Sequence, residues 1–327
     1  MFRLAALLGL IGLIAATVVI GWSGYHQVLQ ALSVAGWGIL ATSAFHLVAW
    51  IFGALGWWIL VPGKKRPSYW YFLYLLWLRS SVNNLMPVAR IGGEFVAVRI
   101  MIKDGMRKTI AIASTVVELT MSVIGVFLFD IIGISLFALH VSNRHLAWQL
   151  MLGLALSLPV IGIMLFVQRV GFFGLCDKIF TFMIRDQWKK FAGNTAALDR
   201  AVHTMYRRYD RILLSAFFEF AGWLLGSVEV WLALYFLGHT LSLVKALMIE
   251  ALIQASASAA FAIPGALGVQ EAGFVLFGHM LGLSPDIAAA LAVIRRCRDV
   301  ILYVPGLIVW QMQEGKWLLR KNKKLTG

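Results

Sequence analysis

Six long hydrophobic spans, at about 3–21, 35–62, 109–139, 146–168, 212–237 and 286–311, decide what this chain can fold into. Each comes close to or exceeds the ~20 residues that a helix needs to cross a bilayer. In lipid the backbone must satisfy its own N–H and C=O groups, so such continuous runs become helices. The alternation that a transmembrane barrel requires is absent. Of the 327 residues 61% are hydrophobic and 13% charged, and mean hydropathy is +0.82. A soluble core of this size does not bury that much apolar surface. The expected fold class is an all-α polytopic membrane protein, forming a single integral membrane domain over residues 1–327.

Charge sets the expected orientation. The net charge is +14 and the pI about 10.1. In a soluble protein that would invite nucleic acid. Here the basic residues fall between spans, with no zinc-finger spacing, and read as topology signals and contacts to anionic headgroups; no nucleic-acid partner is expected. With the N-terminus inside, the cytoplasmic segments carry Arg3, then Lys64, Lys65 and Arg66, then Lys103, Arg107 and Lys108. They also carry the basic linker 169–211 and the basic tail 312–327, whereas the outer loops hold Arg144 and Lys245. Both termini are therefore expected in the cytoplasm.

Two more hydrophobic stretches, about 68–103 and 246–283, are interrupted by polar residues, Pro and Gly. By the same charge rule the first begins and ends inside, and the second begins and ends outside. Their arms, about 15 residues each, are short for a crossing and favour re-entrant or broken-helix hairpins over two full spans apiece. In the linker, "TAALDRAVHTMYRRYDR" sets Leu198, Val202, Met205 and Tyr209 at helical spacing. That pattern predicts a basic amphipathic helix, either on the inner membrane surface or solvated. Cys176 and Cys297 form no disulfide framework. Residues 1–20 imitate a signal peptide but show no A-x-A-like cleavage pattern, so an uncleaved first span is expected.

The two interruptions share a pattern. "PVARIGGEFVAVRIMIKDG" and "PGALGVQEAGFVLFGHMLG" both read P-x6-E-x10-G, 177 residues apart, and the flanking spans superpose at the same offset. Because the first interruption opens inside and the second outside, the arrangement predicts an inverted-topology repeat. Repeat one covers about 1–140 and repeat two about 146–314, with cores at 35–137 and 212–314. Irregular backbone at membrane depth survives only where protein or a hydrated cavity satisfies it. Pro87, Gly92, Gly93, Pro264, Gly265 and Gly268 are the expected structural breaks, and the half-helices that restart after them point free N–H groups inward. Small residues also pack helices closely, which accounts for the glycines but not for the charges. Each intramembrane charge costs roughly 2.5–3.5 kcal/mol on insertion scales, so charges must pair or line a cavity. The candidate cleft residues are Arg79, Asn83, Asn84, Arg90, Glu94, Glu118, Glu271, Arg295, Arg296, Arg298 and Asp299. Pairing of Glu118 or Glu94 with the Arg295–Arg298 group would make a cross-repeat ion pair. Arg99 is a further charge in the first interruption, and Glu219, Glu229 and Glu250 add acids in the second half.

The blocks "VNNLMPVARIGGE" with "GMRKTIAIASTVVE", and "IPGALGVQEAGF" with "GLSPDIAAALAVIRRCRD", resemble the signature blocks of the lysylphosphatidylglycerol synthase transmembrane (flippase-like) family. The resemblance spans nearly the whole chain. "AGWGIL", "FHLVAW", "LGWWIL" and "WLRSSVNNLMPVA" are most similar to the hopanoid-biosynthesis-associated HpnL-type members. The resemblance implies a bacterial inner-membrane protein that flips a lipid, here a hopanoid or a phospholipid. The synthase activity of the founding members belongs to a separate soluble domain and does not transfer.

Three functions compete. In a lipid translocase, the arginines bind an anionic or hydroxylated headgroup while Glu94, Glu118 and Glu271 balance charge or carry protons. No Walker motif is present. An intramembrane lipid-modifying enzyme would need a nucleophile or metal set. The seven His are scattered without H-E-x-x-H spacing, and Ser256 and Ser258 lack a base nearby in sequence, so no catalytic residue, metal or cofactor is expected. A scaffold for lipid-synthesis enzymes would use the basic linker and tail. Gly222-x-x-x-Gly226 fits pairing between protomers in a homodimer, although this spacing more often packs helices within one chain.

Overall fold

The computed structural model describes residues 33–63, 66–86, 92–140, 144–170, 195–260, 266 and 268–326, and every regular element among them is helical. In chain order these are α1 Gly38–Leu60, α2 Tyr69–Leu85, α3 Gly92–Lys103, α4 Lys108–His140 and α5 Arg144–Val170. They continue with α6 Thr195–Tyr206, α7 Tyr209–Phe236, α8 Leu243–Ala259, α9 Val269–Met280 and α10 Pro285–Thr326. The predicted span 3–21, the breaks at Pro87, Pro264 and Gly265, the residue Arg90 and most of the 169–211 linker lie outside the described residues.

Four helices are long and apolar enough to cross a membrane: α1, α4, the stretch Trp148–Phe166 of α5, and α7. They match four of the predicted spans. The last predicted span lies within α10, which runs on unbroken for 42 residues. The interrupted stretches resolve into pairs of shorter helices. α2 and α8 have 17 residues each, and α3 and α9 have 12 each. At 1.5 Å per residue these are about 26 Å and 18 Å long. A 12-residue helix therefore falls well short of the ~30 Å hydrocarbon core.

α3 and α9 end in the same way. At the end of α3, Met106 N–H bonds to the Met101 carbonyl (2.9 Å) and Gly105 N–H to Ile102 (3.2 Å), with Gly105 at φ +92°. At the end of α9, Leu283 N–H bonds to Gly278 (2.9 Å) and Gly282 N–H to His279 (3.1 Å), with Gly282 at φ +100°. Both are glycine-closed caps whose left-handed residue satisfies the last carbonyls of the helix. The helix that follows starts alike as well, with Ala111 N–H to Arg107 and Ala288 N–H to Ser284, both 3.0 Å. Every residue in the first set lies 177 positions before its counterpart.

The chain divides into two compact units. The first takes in the described residues up to Leu47, Tyr74–Ala97 and Val228 onward; the second takes in Val48–Leu73 and Val98–Ser227. In the first, α9 packs on α8 and α10. α2 lies close against α10: Trp77 Nε1 donates to the Leu302 carbonyl (2.7 Å), and a Cβ at Gly306 would run into Ser81 and Trp77. Val82, Met86 and Leu307 form an apolar cluster beside that crossing.

In the second unit, α6 packs on α4 and α5. The apolar stripe that sequence placed on a membrane surface or in solvent is instead buried in protein, at Leu198, Val202, Met205 and Tyr206. Tyr209 leaves the stripe and is 68% exposed, because α6 stops at Tyr206 and α7 begins a new direction at Tyr209. Tyr206 Oη donates to Gln168 Oε1 (2.7 Å), and Gln168 and Thr120 exchange hydrogen bonds of 2.8 and 3.0 Å, so a buried polar triad joins α4, α5 and α6. Gly222 faces the Ala49 carbonyl and Phe52 of α1 within the same chain, so that glycine already has an intrachain packing role. The stretch Trp148–Phe166 has no buried residue, as a lipid-facing helix surface would. At a charged end of this unit, the Arg66 guanidinium lies 3.4 Å over the Trp58 ring. Burial, then the nearby Arg211 and Arg208 guanidiniums, lower its pKa below the ordinary arginine value.

Candidate functional site: a buried ion-pair network on α10

The sequence "RRCRD" places three guanidiniums and a carboxylate on consecutive turns of α10, inside a stretch that is otherwise apolar. Arg295 follows Pro285 by ten residues, about 15 Å of helix. A buried charge needs a partner, and each of these groups has one.

Arg295 forms a two-pronged pair with Glu250 of α8: Nη1 to Oε2 at 2.5 Å and Nη2 to Oε1 at 2.9 Å. The pair is buried, and Gln254, one turn further along α8, donates a third bond to Glu250 Oε1 (3.0 Å). The Phe274 ring of α9 lies 5.6 Å from the guanidinium carbon. Arg296 turns to the start of α9, where its Nε meets Glu271 Oε1 (2.5 Å), while Nη1 meets Asp299 Oδ2 (3.2 Å). Arg298 grips Asp299 Oδ1 through Nε (3.1 Å) and Nη2 (2.6 Å) and reaches Glu229 Oε1 of α7 through Nη1 (2.6 Å). The other oxygen of Glu229 lies 2.6 Å from His46 Nδ1 on α1, and that same nitrogen is 3.2 Å from Arg298 Nη1. A cavity of about 10 Å³, room for about one water, opens among Thr42, Glu229, Phe274 and Arg295.

A smaller cluster joins α2 to α3 in the same unit. Arg79 Nε stands 3.8 Å from Glu94 Oε1, and Asn83 bridges the helices by donating to Glu94 Oε2 (2.9 Å) and accepting from Gly93 N–H (2.8 Å). A Cβ at Gly93 would fall on the Arg79 carbonyl and the Asn83 side chain, so glycine is what permits the approach. Asn84 turns back to bond the Ser80 carbonyl (2.9 Å). Glu94 and Glu271 each sit in the first turn of a 12-residue helix, where the helix dipole favours a carboxylate, and each meets an arginine of a neighbouring helix. Gly92 opens α3, and Gly268, at φ +78°, precedes α9.

These charges thus fall into two clusters. The carboxylates gripping the α10 arginines are Glu250, Glu271, Glu229 and Asp299, supplied by α8, α9, α7 and α10 itself. Glu94 holds Arg79 and Asn83, and Glu118 is buried on α4 in the second unit. The link from the first half of the chain to the arginines is His46. A family model described as the lysylphosphatidylglycerol synthase TM region matches residues 9–306.

The chain belongs to that family.

Membership covers nearly the whole length, agrees with the helices long enough to span, and makes this a membrane protein. Searches of curated proteins and of solved structures returned no match. Within this family member, sequence reasoning missed His46 as a site residue and left Glu229 and Glu250 as unplaced acids. The signal for His46 was available: an ionisable side chain in the middle of an apolar span marks a functional position by default.

Proposed function

We propose that this protein is a lipid translocase of the bacterial inner membrane, in which a polar headgroup passes along the charged side chains of the first unit while the tails stay in lipid. The observation that carries this reading is the buried meeting of three arginines of α10 with four carboxylates from α7, α8, α9 and α10 itself in a membrane protein. A helix bundle needing only cohesion would hold itself together more cheaply with apolar packing, since buried ion pairs are often neutral or worse for stability. Arg296–Glu271 and Arg79–Glu94 are the pairs a headgroup would open. An anionic or hydroxylated group would displace the carboxylate from the arginine and meet the N–H groups at the start of α9 or α3.

Two further proposals frame it. We read the chain as an inverted repeat, supported by the identical caps of α3 and α9 at a constant offset and by the matched 17- and 12-residue helix pairs, which we take as re-entrant hairpins. We place both termini in the cytoplasm. The meeting of Arg66, Arg208 and Arg211 supports this, since those residues come from two segments that charge asymmetry puts inside. The transported lipid is a hopanoid or another polar-headed lipid.

Reconstitution tests the reading. Proteoliposomes carrying labelled phospholipid or hopanoid should show faster transbilayer movement than empty vesicles, and Arg296→Ala and Glu271→Gln should lose most of the gain. Movement no faster than in empty vesicles for either lipid class, with folded protein, overturns it.

A further inference from the structure

The contacts of His46 Nδ1 turn on where the ring carries its hydrogen. An arginine N–H can only donate, and an ionised carboxylate can only accept. His46 Nδ1 lies 2.6 Å from Glu229 Oε2 and 3.2 Å from Arg298 Nη1. It satisfies the carboxylate when it carries hydrogen, and it accepts from the arginine when it does not. One atom cannot do both, so the whereabouts of a single proton selects between two hydrogen-bond patterns.

Formal charge points the same way. Among the ion pairs of the described residues, Arg295, Arg296 and Arg298 meet Glu229, Glu250, Glu271 and Asp299, four carboxylates to three guanidiniums. A proton on His46 brings this set to neutrality, and a buried uncompensated charge is costly. His46 meets Glu229 of α7 and Arg298 of α10, and Arg298 in turn holds Asp299. Arg295 and Glu250 stand one contact further out. A water-sized space also borders the carboxylate. Thr42, one helical turn before His46, lines the water-sized cavity together with Glu229 and Arg295, which gives a water three polar partners at the carboxylate.

We propose that His46 and Glu229 form a proton-binding site, with one exchangeable proton held on the imidazole against the carboxylate. On release the proton passes to water as hydronium, Nδ1 keeps its lone pair, and Arg298 Nη1 turns its N–H onto that lone pair. On uptake Arg298 falls back to Glu229 Oε1 and Asp299. The site thus repositions an arginine of the charged network with each proton. If lipid moves as proposed above, this step is where a proton gradient would act; that clause, unlike the site itself, rests on the translocase reading.

The experiment uses full-length protein with nitrogen-15-labelled histidine in lipid nanodiscs, His46 being assigned by its disappearance in His46→Gln. Across a pH series its ring signals should pass from the neutral to the imidazolium pattern. Glu229→Gln should displace that transition by about tenfold or more in proton concentration. Glu229→Asp, which keeps the charge but shortens the reach, should displace it too and serves if the amide variant does not fold. A His46 signal that keeps one form across the series, or a transition indifferent to both Glu229 variants, overturns the proposal. Lipid movement is then measured in proteoliposomes under an imposed pH gradient. A titrating His46 in protein that moves no lipid keeps the proton site and removes the translocase reading. Lipid movement with an unresponsive His46 does the reverse.

Discussion

Glu250→Ala is the change whose cost the structure predicts best. The Arg295 guanidinium is 9% exposed, and both prongs of its fork end on Glu250, itself 2% exposed. Truncating the carboxylate strands a buried cation, which costs about 3–5 kcal/mol. Gln254 loses its acceptor as well, worth about 1 kcal/mol. Against this, the Phe274 ring remains as a cation–π partner worth roughly 0.5–2 kcal/mol, and Glu229 still faces the shared cavity. The net expectation is a loss of about 3–4 kcal/mol, or roughly two to three decades in the unfolding equilibrium. Equilibrium unfolding in mixed micelles measures it. The companion variant Glu250→Leu with Arg295→Met removes both charges and should return to within about 1 kcal/mol of wild type, since apolar replacement of a buried pair is often neutral or stabilising. A single-variant loss below about 0.5 kcal/mol would refute the reasoning, because the pair would then be neither as buried nor as mutually dependent as described. The double variant also separates the two uses of the pair. If it folds well yet moves no lipid, the charges serve transport; if it folds and transports, they serve only cohesion.

Asn83→Leu removes the bridge from α2 to both Gly93 and Glu94 and should destabilise by about 1–3 kcal/mol in the same unfolding measurement. Gly306→Val drives a side chain into Ser81 and Trp77 and should cost at least about 1–3 kcal/mol, with a changed Trp77 fluorescence environment as the local readout. Tyr206→Phe deletes one bond of the triad with Gln168 and should cost about 1 kcal/mol. Hydrogen exchange should quicken in α6 before it does in α4.

The spans were legible because span length and apolarity are local properties: 35–62, 109–139, 146–168 and 212–237 reappear as α1, α4, α5 and α7 within the few residues by which helix ends are always uncertain. The division of each interrupted stretch into shorter helices was legible in its polar and Gly residues, and Gly105 and Gly282 of the shared spacing close α3 and α9. Pairing was not legible. Arg298 meets His46 across 252 positions and Glu229 across 69, and no periodicity encodes which of several acids will face an arginine. Glu229 and Glu250 were visible as acids of the second half, but not as the partners of Arg298 and Arg295. In the linker, the spacing of Leu198, Val202 and Met205 correctly gave the buried face of α6 but not the surface it covers. An amphipathic stripe says that something apolar lies opposite, and lipid and protein look the same from one side.

The two helix-ending glycines have a consequence for how such a chain changes over time. On the duplication proposed above, each copy is free to rewrite its side chains, because the two meet different neighbours. Neither is free to rewrite a residue whose torsion other amino acids resist. Gly105 and Gly282 hold backbone angles of φ +92° and +100° at corresponding places. Deep mutational scanning should therefore find both positions intolerant, including toward alanine, amid neighbours that accept many replacements. The halves would then be kin by punctuation rather than by vocabulary, with their common descent preserved in where helices stop and not in what they are made of.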